Sequence, residues 1–110
     1  MHRIEIDNEK TVFEFVIVEA SRDRLYLEHA RDIEAVSTDA YVRFAIDLTR
    51  AFHELKGVTT LENENGKTIL TISFQRGRVE VEAAWAGTTT RFTTDQSYLT
   101  KTVRQIGIVE

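Results

Sequence analysis

Residues 70–83 read LTISFQRGRVEVEA. Apolar and polar residues alternate on both sides of Arg76-Gly77, with Leu70, Ile72 and Phe74 before it and Val79, Val81 and Ala83 after it. A period of two is that of a half-buried strand, and a glycine-containing pair between two such runs marks a hairpin corner. A two-residue turn at that corner sets Phe74 opposite Val79, Ile72 opposite Val81 and Leu70 opposite Ala83. Two more glycine pairs, Asn65-Gly66 and Ala86-Gly87, flank the stretch. With two-residue turns at both, Leu61 faces Leu70 and Val81 faces Phe92, and Trp85 enters on the same side next to Thr68. One side of the resulting four-stranded meander is apolar throughout. The other collects Thr60, Glu62, Thr71, Ser73, Glu80, Glu82, Thr89, Arg91 and Thr93, with Glu82 directly opposite Arg91 as a favourable cross-strand pair.

Upstream the period changes. Tyr41, Phe44, Ala45, Leu48, Ala51, Phe52 and Leu55 fall at helical spacing, which predicts one amphipathic helix over about 39–56. Ser37, Thr38 and Asp39 offer N-caps, and Gly57 can close the far end. Arg43, Asp47, Arg50 and Glu54 line the opposite face at spacings that bring unlike charges together. Downstream, Leu99, Val103 and Ile106 predict a final helix capped by Thr94 or Asp95 and stopped by Gly107. The amino-terminal third reads as two or three strands: Val12–Ala20, then 24–36 after the polar Ser21-Arg22-Asp23, with Ile4 and Ile6 beginning another. The expected fold is one α+β domain over residues 1–110, an antiparallel meander with both helices on its apolar side.

A chain of 110 residues suits one core. It has no cysteine, which excludes disulfides, thiolate nucleophiles and cysteine-ligated zinc, and it has no proline. With 18 acidic and 14 basic residues the net charge is −4, unfavourable for a nucleic-acid binder and favourable for a basic partner. Neither a signal-peptide run nor a membrane-spanning stretch is evident, so a cytoplasmic protein without membrane association is expected.

Catalytic signatures are missing or incomplete. Gly66-Lys67-Thr68 ends like a phosphate-binding loop, but Leu61 stands where the first glycine belongs and a strand, not a helix, follows. His53-Glu54 opens a zinc-helix motif whose second ligand position holds Gly57. His2, His29 and His53 are far apart in sequence, and His29 reads as a strand residue near a sheet edge. The carboxylate pairs Glu62/Glu64 and Glu80/Glu82 have the makings of an acid–base couple, yet an open sheet face gives them no apolar enclosure. Asp95 reads as a helix cap, and no serine sits in a nucleophile-elbow setting. No catalytic residue, metal ligand or cofactor is expected.

Three stretches resemble a known family: FAIDLTRAFHELK (44–56) followed by Gly57 and LENE, LTISFQRGRVEVEA (70–83), and RFTTDQSYLTKTVRQI (91–106). Together they are similar to the small bacterial proteins related to WapI, an immunity protein paired with a wall-associated contact-dependent toxin. The likeness covers residues 44–106 and rests on the helix-Gly-strand order and the F-x-x-D-Q-S-Y-L entry into the last helix. It implies a stoichiometric binder, with no catalytic residues, that neutralises a toxin domain. Toxins that cut nucleic acids are commonly basic, so an acidic inhibitor gains steering and specificity. The expected docking patch is Glu62, Glu80 and Glu82 with Arg91, and the exposed helix face is its competitor. Two other readings stand beside it: an enzyme or small-ligand binder with its site between helices and sheet, and an oligomeric structural protein using an exposed edge or face.

Overall fold

The computed structural model describes residues 2–106 and shows an α+β fold with two antiparallel four-stranded sheets. The first is β1 (His2–Asp7), β2 (Val12–Ala20), β3 (Arg24–His29) and β4 (Asp32–Ser37); helix α1 (Thr38–Glu54) follows. The second is β5 (Lys56–Glu62), β6 (Thr68–Gln75), β7 (Arg78–Trp85) and β8 (Thr88–Asp95), then a 3-10 turn (Gln96–Tyr98) and helix α2 (Leu99–Gln105). Both sheets run in chain order. Their alternating apolar residues meet in one core, in which Phe13 and Phe15 of β2 lie 5.8 and 5.6 Å, centroid to centroid, from the Trp85 indole of β7. Each fully buried side chain of this size contributes about 1.5–3 kcal/mol.

The second sheet has the expected register. Leu61 pairs with Leu70, Leu70 with Ala83, Ile72 with Val81, Phe74 with Val79, Val81 with Phe92 and Glu82 with Arg91. Arg76-Gly77 and Ala86-Gly87 are two-residue turns with positive φ at both positions. Asn65-Gly66 is not. There the chain makes a wider loop in which Asn63 N–H donates to Lys67 O, Gly66 N–H donates to Asn63 O, and only Gly66 takes positive φ. The Asn63 side chain holds that loop by accepting from the amides of Asn65 and Lys67. A bulge after Leu61 absorbs the extra length, so the pairing from Lys56 to Leu61 is as expected and only Glu62 is shifted.

The amino-terminal third forms a complete sheet, more than the two or three strands expected. Residues 24–36 are not one strand but a hairpin folded at Ala30-Arg31, both with positive φ, at +51° and +74°. This is the turn geometry that normally recruits asparagine and glycine, so its residues give no signal.

Ser37 caps α1 by accepting from Ala40 N–H, and Tyr41, Phe44, Ala45, Leu48 and Ala51 are buried as the spacing predicts. The far end differs. Leu55, not Gly57, takes the left-handed closing position, and its side chain stays exposed. Gly57 already belongs to β5, where φ +120° and the Ala51 Cβ 3.4 Å from a built Cβ leave little place for a side chain.

Helix α2 does not lie on the second meander's apolar side beside α1; it docks along β1 and against α1. Leu99 and Ile106 enter the core, as does Thr102, whose hydroxyl donates to Glu5 O at 2.5 Å. Glu5 N–H donates to the Gln105 side-chain oxygen at 2.7 Å. An edge strand's outward main-chain groups are thus met by helix side chains. Asp95 precedes the 3-10 turn, but its side chain makes no capping bond. Gly107, expected to end this helix, lies outside the described residues.

Candidate functional site

Strand pairing fixes what the outer face of the second sheet presents. One cross-strand row is Val58, Ser73, Glu80 and Thr93; the next is Thr60, Thr71, Glu82 and Arg91. Of these only Thr71 and Ser73, on the central strand, are half-buried; the other six are exposed. Glu80, Glu82 and Arg91, with Thr71, Ser73 and Thr93, border an open depression of about 470 Å³. Three of the four residues proposed from sequence therefore converge. Glu62 lies at the end of β5, beyond the bulge and opposite Thr68, and is not part of that depression.

Electrostatics divide the face further. Arg91 Nη2 stands 3.2 Å from Glu82 Oε2, so that row carries no net charge. Glu80 and Glu62 take part in no ion pair among the described residues, which leaves them as the net negative groups. At the other end of the sheet a third row, Lys56, Gln75, Arg78 and Asp95, carries two cations. The face runs from basic at that end to acidic at Glu62. Val58, 61% exposed, adds an apolar spot beside Ser73 that the sequence reading had not singled out.

The competing helix surface is real but different in kind. Val42 and Ile46, one turn apart and both exposed, share it with Arg43 and the Asp47–Arg50 pair at 3.8 Å. A larger open cavity, about 780 Å³, lies where the β1–β2 loop meets the Arg76-Gly77 turn. Lys10, Arg76 and Arg78 line it, with Glu9 and Asp95. None of the three cations has an ion-pair partner among the described residues.

His29 is placed more centrally than expected. It sits on β3, an inner strand, with its ring 4.3 Å from Phe13 and 6.0 Å from Trp85. Its Nδ1–H donates to Glu14 O at 2.7 Å, which commits that nitrogen to the backbone. Beside it Trp85 Nε1–H donates to Asp32 O, and the Glu34 carboxylate spans the sheets, accepting from Asn63 Nδ2 at 3.0 Å and Ala86 N–H at 2.9 Å. Glu34 was invisible to sequence reasoning because its partners are a loop amide and a turn backbone 29 and 52 residues away. Among the described residues, no three His, Asp or Glu side chains gather as a metal-holding cluster.

Three shifted groups serve attachment. A hydrogen bond from Gln105, then the nearby Lys101 ammonium, hold the Glu5 carboxyl below its ordinary range, against the opposing effect of burial. Lys101 Nζ, 2.8 Å from Asp7 Oδ2 and 3.5 Å from Glu5 Oε1, is raised chiefly by its hydrogen bond to Asp7. Burial pushes the Tyr41 phenol well up, and its hydroxyl donates to Ile106 O at 2.9 Å. All three tie α2 to β1 and α1. None faces the outer surface of the second sheet.

No helix of the described residues is long and apolar enough to cross a membrane. No protein-family model, curated protein or solved structure matches the chain.

Proposed function

We propose that the protein is a non-catalytic binding module of immunity type that inhibits a basic bacterial toxin domain by covering it with the outer face of the second sheet. The observation that carries the reading is the exposed pair of rows centred on Glu80 and Glu82. A sheet surface rich in short hydroxyl side chains loses little side-chain entropy on docking. Its carboxylates supply orientation and on-rate toward a cationic partner. Glu80 and Glu62 act as the attracting charges, and Arg91 holds Glu82 in place at the rim. Co-purification with basic toxin domains encoded beside the gene is the test. Retention that weakens with salt and disappears in a Glu80→Lys/Glu82→Lys variant supports the reading; no retention of any such domain removes it.

The small-ligand alternative changes location. The space between helices and sheets holds packed apolar side chains, so the cavity bounded by Lys10, Arg76 and Arg78 is the better place for a ligand, and its cations suit a small anion. Calorimetry with inorganic phosphate and citrate tests this second reading, with Arg76→Ala/Arg78→Ala expected to abolish any heat of binding.

A further inference from the structure

Each strand edge of a sheet carries main-chain groups that need partners or protection. On β1, Glu5 N–H and C=O are met by Gln105 and Thr102, and Asp7 C=O accepts from the Thr94 hydroxyl. On β4, Ala35 C=O accepts from Glu64 N–H. Strand β5 packs its inward side against α1, where the Thr59 hydroxyl donates to Phe44 O, while the outward main-chain groups of Val58 and Thr60 have no partner among the described residues. The edge of β8 is open too, and its residues suit pairing with a second copy of itself.

Its two-residue turn makes Trp85–Thr88 a hydrogen-bonded pair, so residues 88, 90, 92 and 94 bond to β7 while 89, 91 and 93 point outward. Thr93 C=O, which accepts from Asn8 Nδ2 at 2.7 Å, confirms that phase. Thr89 and Arg91 main-chain groups have no partner among the described residues, and both residues are exposed. Phe92, directed inward, is only half-buried there. The strand reads TTTRFTTD, β-branched and proline-free. A charged side chain can guard such an edge, but the Arg91 guanidinium is drawn back across the sheet onto Glu82.

We propose that β8 is a self-pairing edge, through which two copies of this chain join antiparallel about a two-fold axis at Thr90. The strand is complementary to itself in that register. Thr89 of each copy faces Arg91 of the other, and such a pair exchanges both N–H···O bonds, so every outward group of Thr89 and Arg91 is satisfied. Thr90 meets Thr90 of the second copy at a closely spaced position, a favourable hydroxyl pair, and Phe92 gains cover from Thr88 of the second copy. Pairing centred on Arg91 would instead oppose two guanidinium groups and is disfavoured. The result is one continuous eight-stranded sheet presenting two acidic rows side by side. This inference stands apart from the proposed partner: a monomer could still bind a toxin, and a dimer could bind none.

Sedimentation and light scattering over a concentration series up to about 1 mM test it. Wild type is expected to shift from monomer to dimer as concentration rises. Thr89→Pro removes an outward N–H without breaking a ladder bond and is expected to give a monomer of unchanged circular dichroism. Should that variant misfold, Thr89→Lys, on an exposed position facing Arg91 of the second copy, is expected to weaken dimerisation about tenfold. A wild type that stays monomeric at 1 mM overturns the inference. So does a dimer indifferent to the substitutions at Thr89.

Discussion

The two sheets share one plan, a four-stranded meander followed by a helix, but close their tight hairpins with different residues. In the second sheet the turns end in Gly77 and Gly87, at φ +83° and +86° with open space around them. In the first, Ala30 and Arg31 adopt the same left-handed pair with side chains attached. A non-glycine residue there costs about 1–2 kcal/mol. The first sheet bears that strain because Glu34, Asp32 and His29, all next to its turn, anchor the hairpin to its neighbours. Local turn chemistry holds the second sheet, and long-range contacts hold the first.

That contrast can be attacked at its strongest contact first. Trp85→Ala removes the side chain on which β2 packs, and is expected to destabilise by about 3–5 kcal/mol in urea unfolding. Next comes the Glu34 clasp. Glu34→Ala leaves the Asn63 amide and the Ala86 N–H to solvent and is expected to cost about 0.5–1.5 kcal/mol, with Glu34→Gln recovering part of it. A turn exchange sharpens the comparison directly. Gly77→Ala, which meets no steric neighbour, is expected to lose about 1 kcal/mol to backbone strain alone, whereas Arg31→Gly is expected to gain a similar amount. If both changes destabilise equally, the two hairpins are not built differently.

The smallest effect concerns the helix that covers β1. The lowered Glu5 carboxyl contributes stability above its ordinary value of 4.5 and loses it as pH falls through the depressed value. The raised Lys101 contributes below its ordinary 10.5 and loses it as pH rises through the higher one. Protection of the Glu5 amide, which donates to Gln105, is therefore expected to hold between those limits and weaken outside them. Corrected hydrogen-exchange rates measure it, and a flat profile would detach the two charges from α2 docking. At these partly exposed positions the stability change itself is expected to stay below about 1 kcal/mol.

The same physics explains what could be read from sequence. Period-two alternation and glycine corners specify the second sheet to the register, and even the misjudged Asn65-Gly66 loop leaves Leu61 opposite Leu70, because a bulge takes up the slack. Helix α1 is legible because its buried face and Ser37 cap are local. The Ala30-Arg31 hairpin is not, since nothing in either residue type favours positive φ. Nor is the seat of α2, which depends on Thr102 and Gln105 meeting Glu5 about a hundred residues earlier. In the candidate site, Glu80, Glu82 and Arg91 follow from the register, while Glu62 is displaced by the bulge. Val58 escaped notice because exposure of an apolar edge residue is a tertiary property.

The reading of the second sheet's outer face as a docking surface has one direct measurement: titration of a basic toxin domain encoded beside the gene into wild type and into Glu80→Lys/Glu82→Lys, at low and high salt. The expected result is saturable one-to-one binding per chain by wild type, weakened by salt, and loss of at least about a hundredfold in affinity in the variant, whose fold and melting temperature are unchanged. Equal binding by the two proteins would contradict the assignment and move the search to the Val42–Ile46 face of α1.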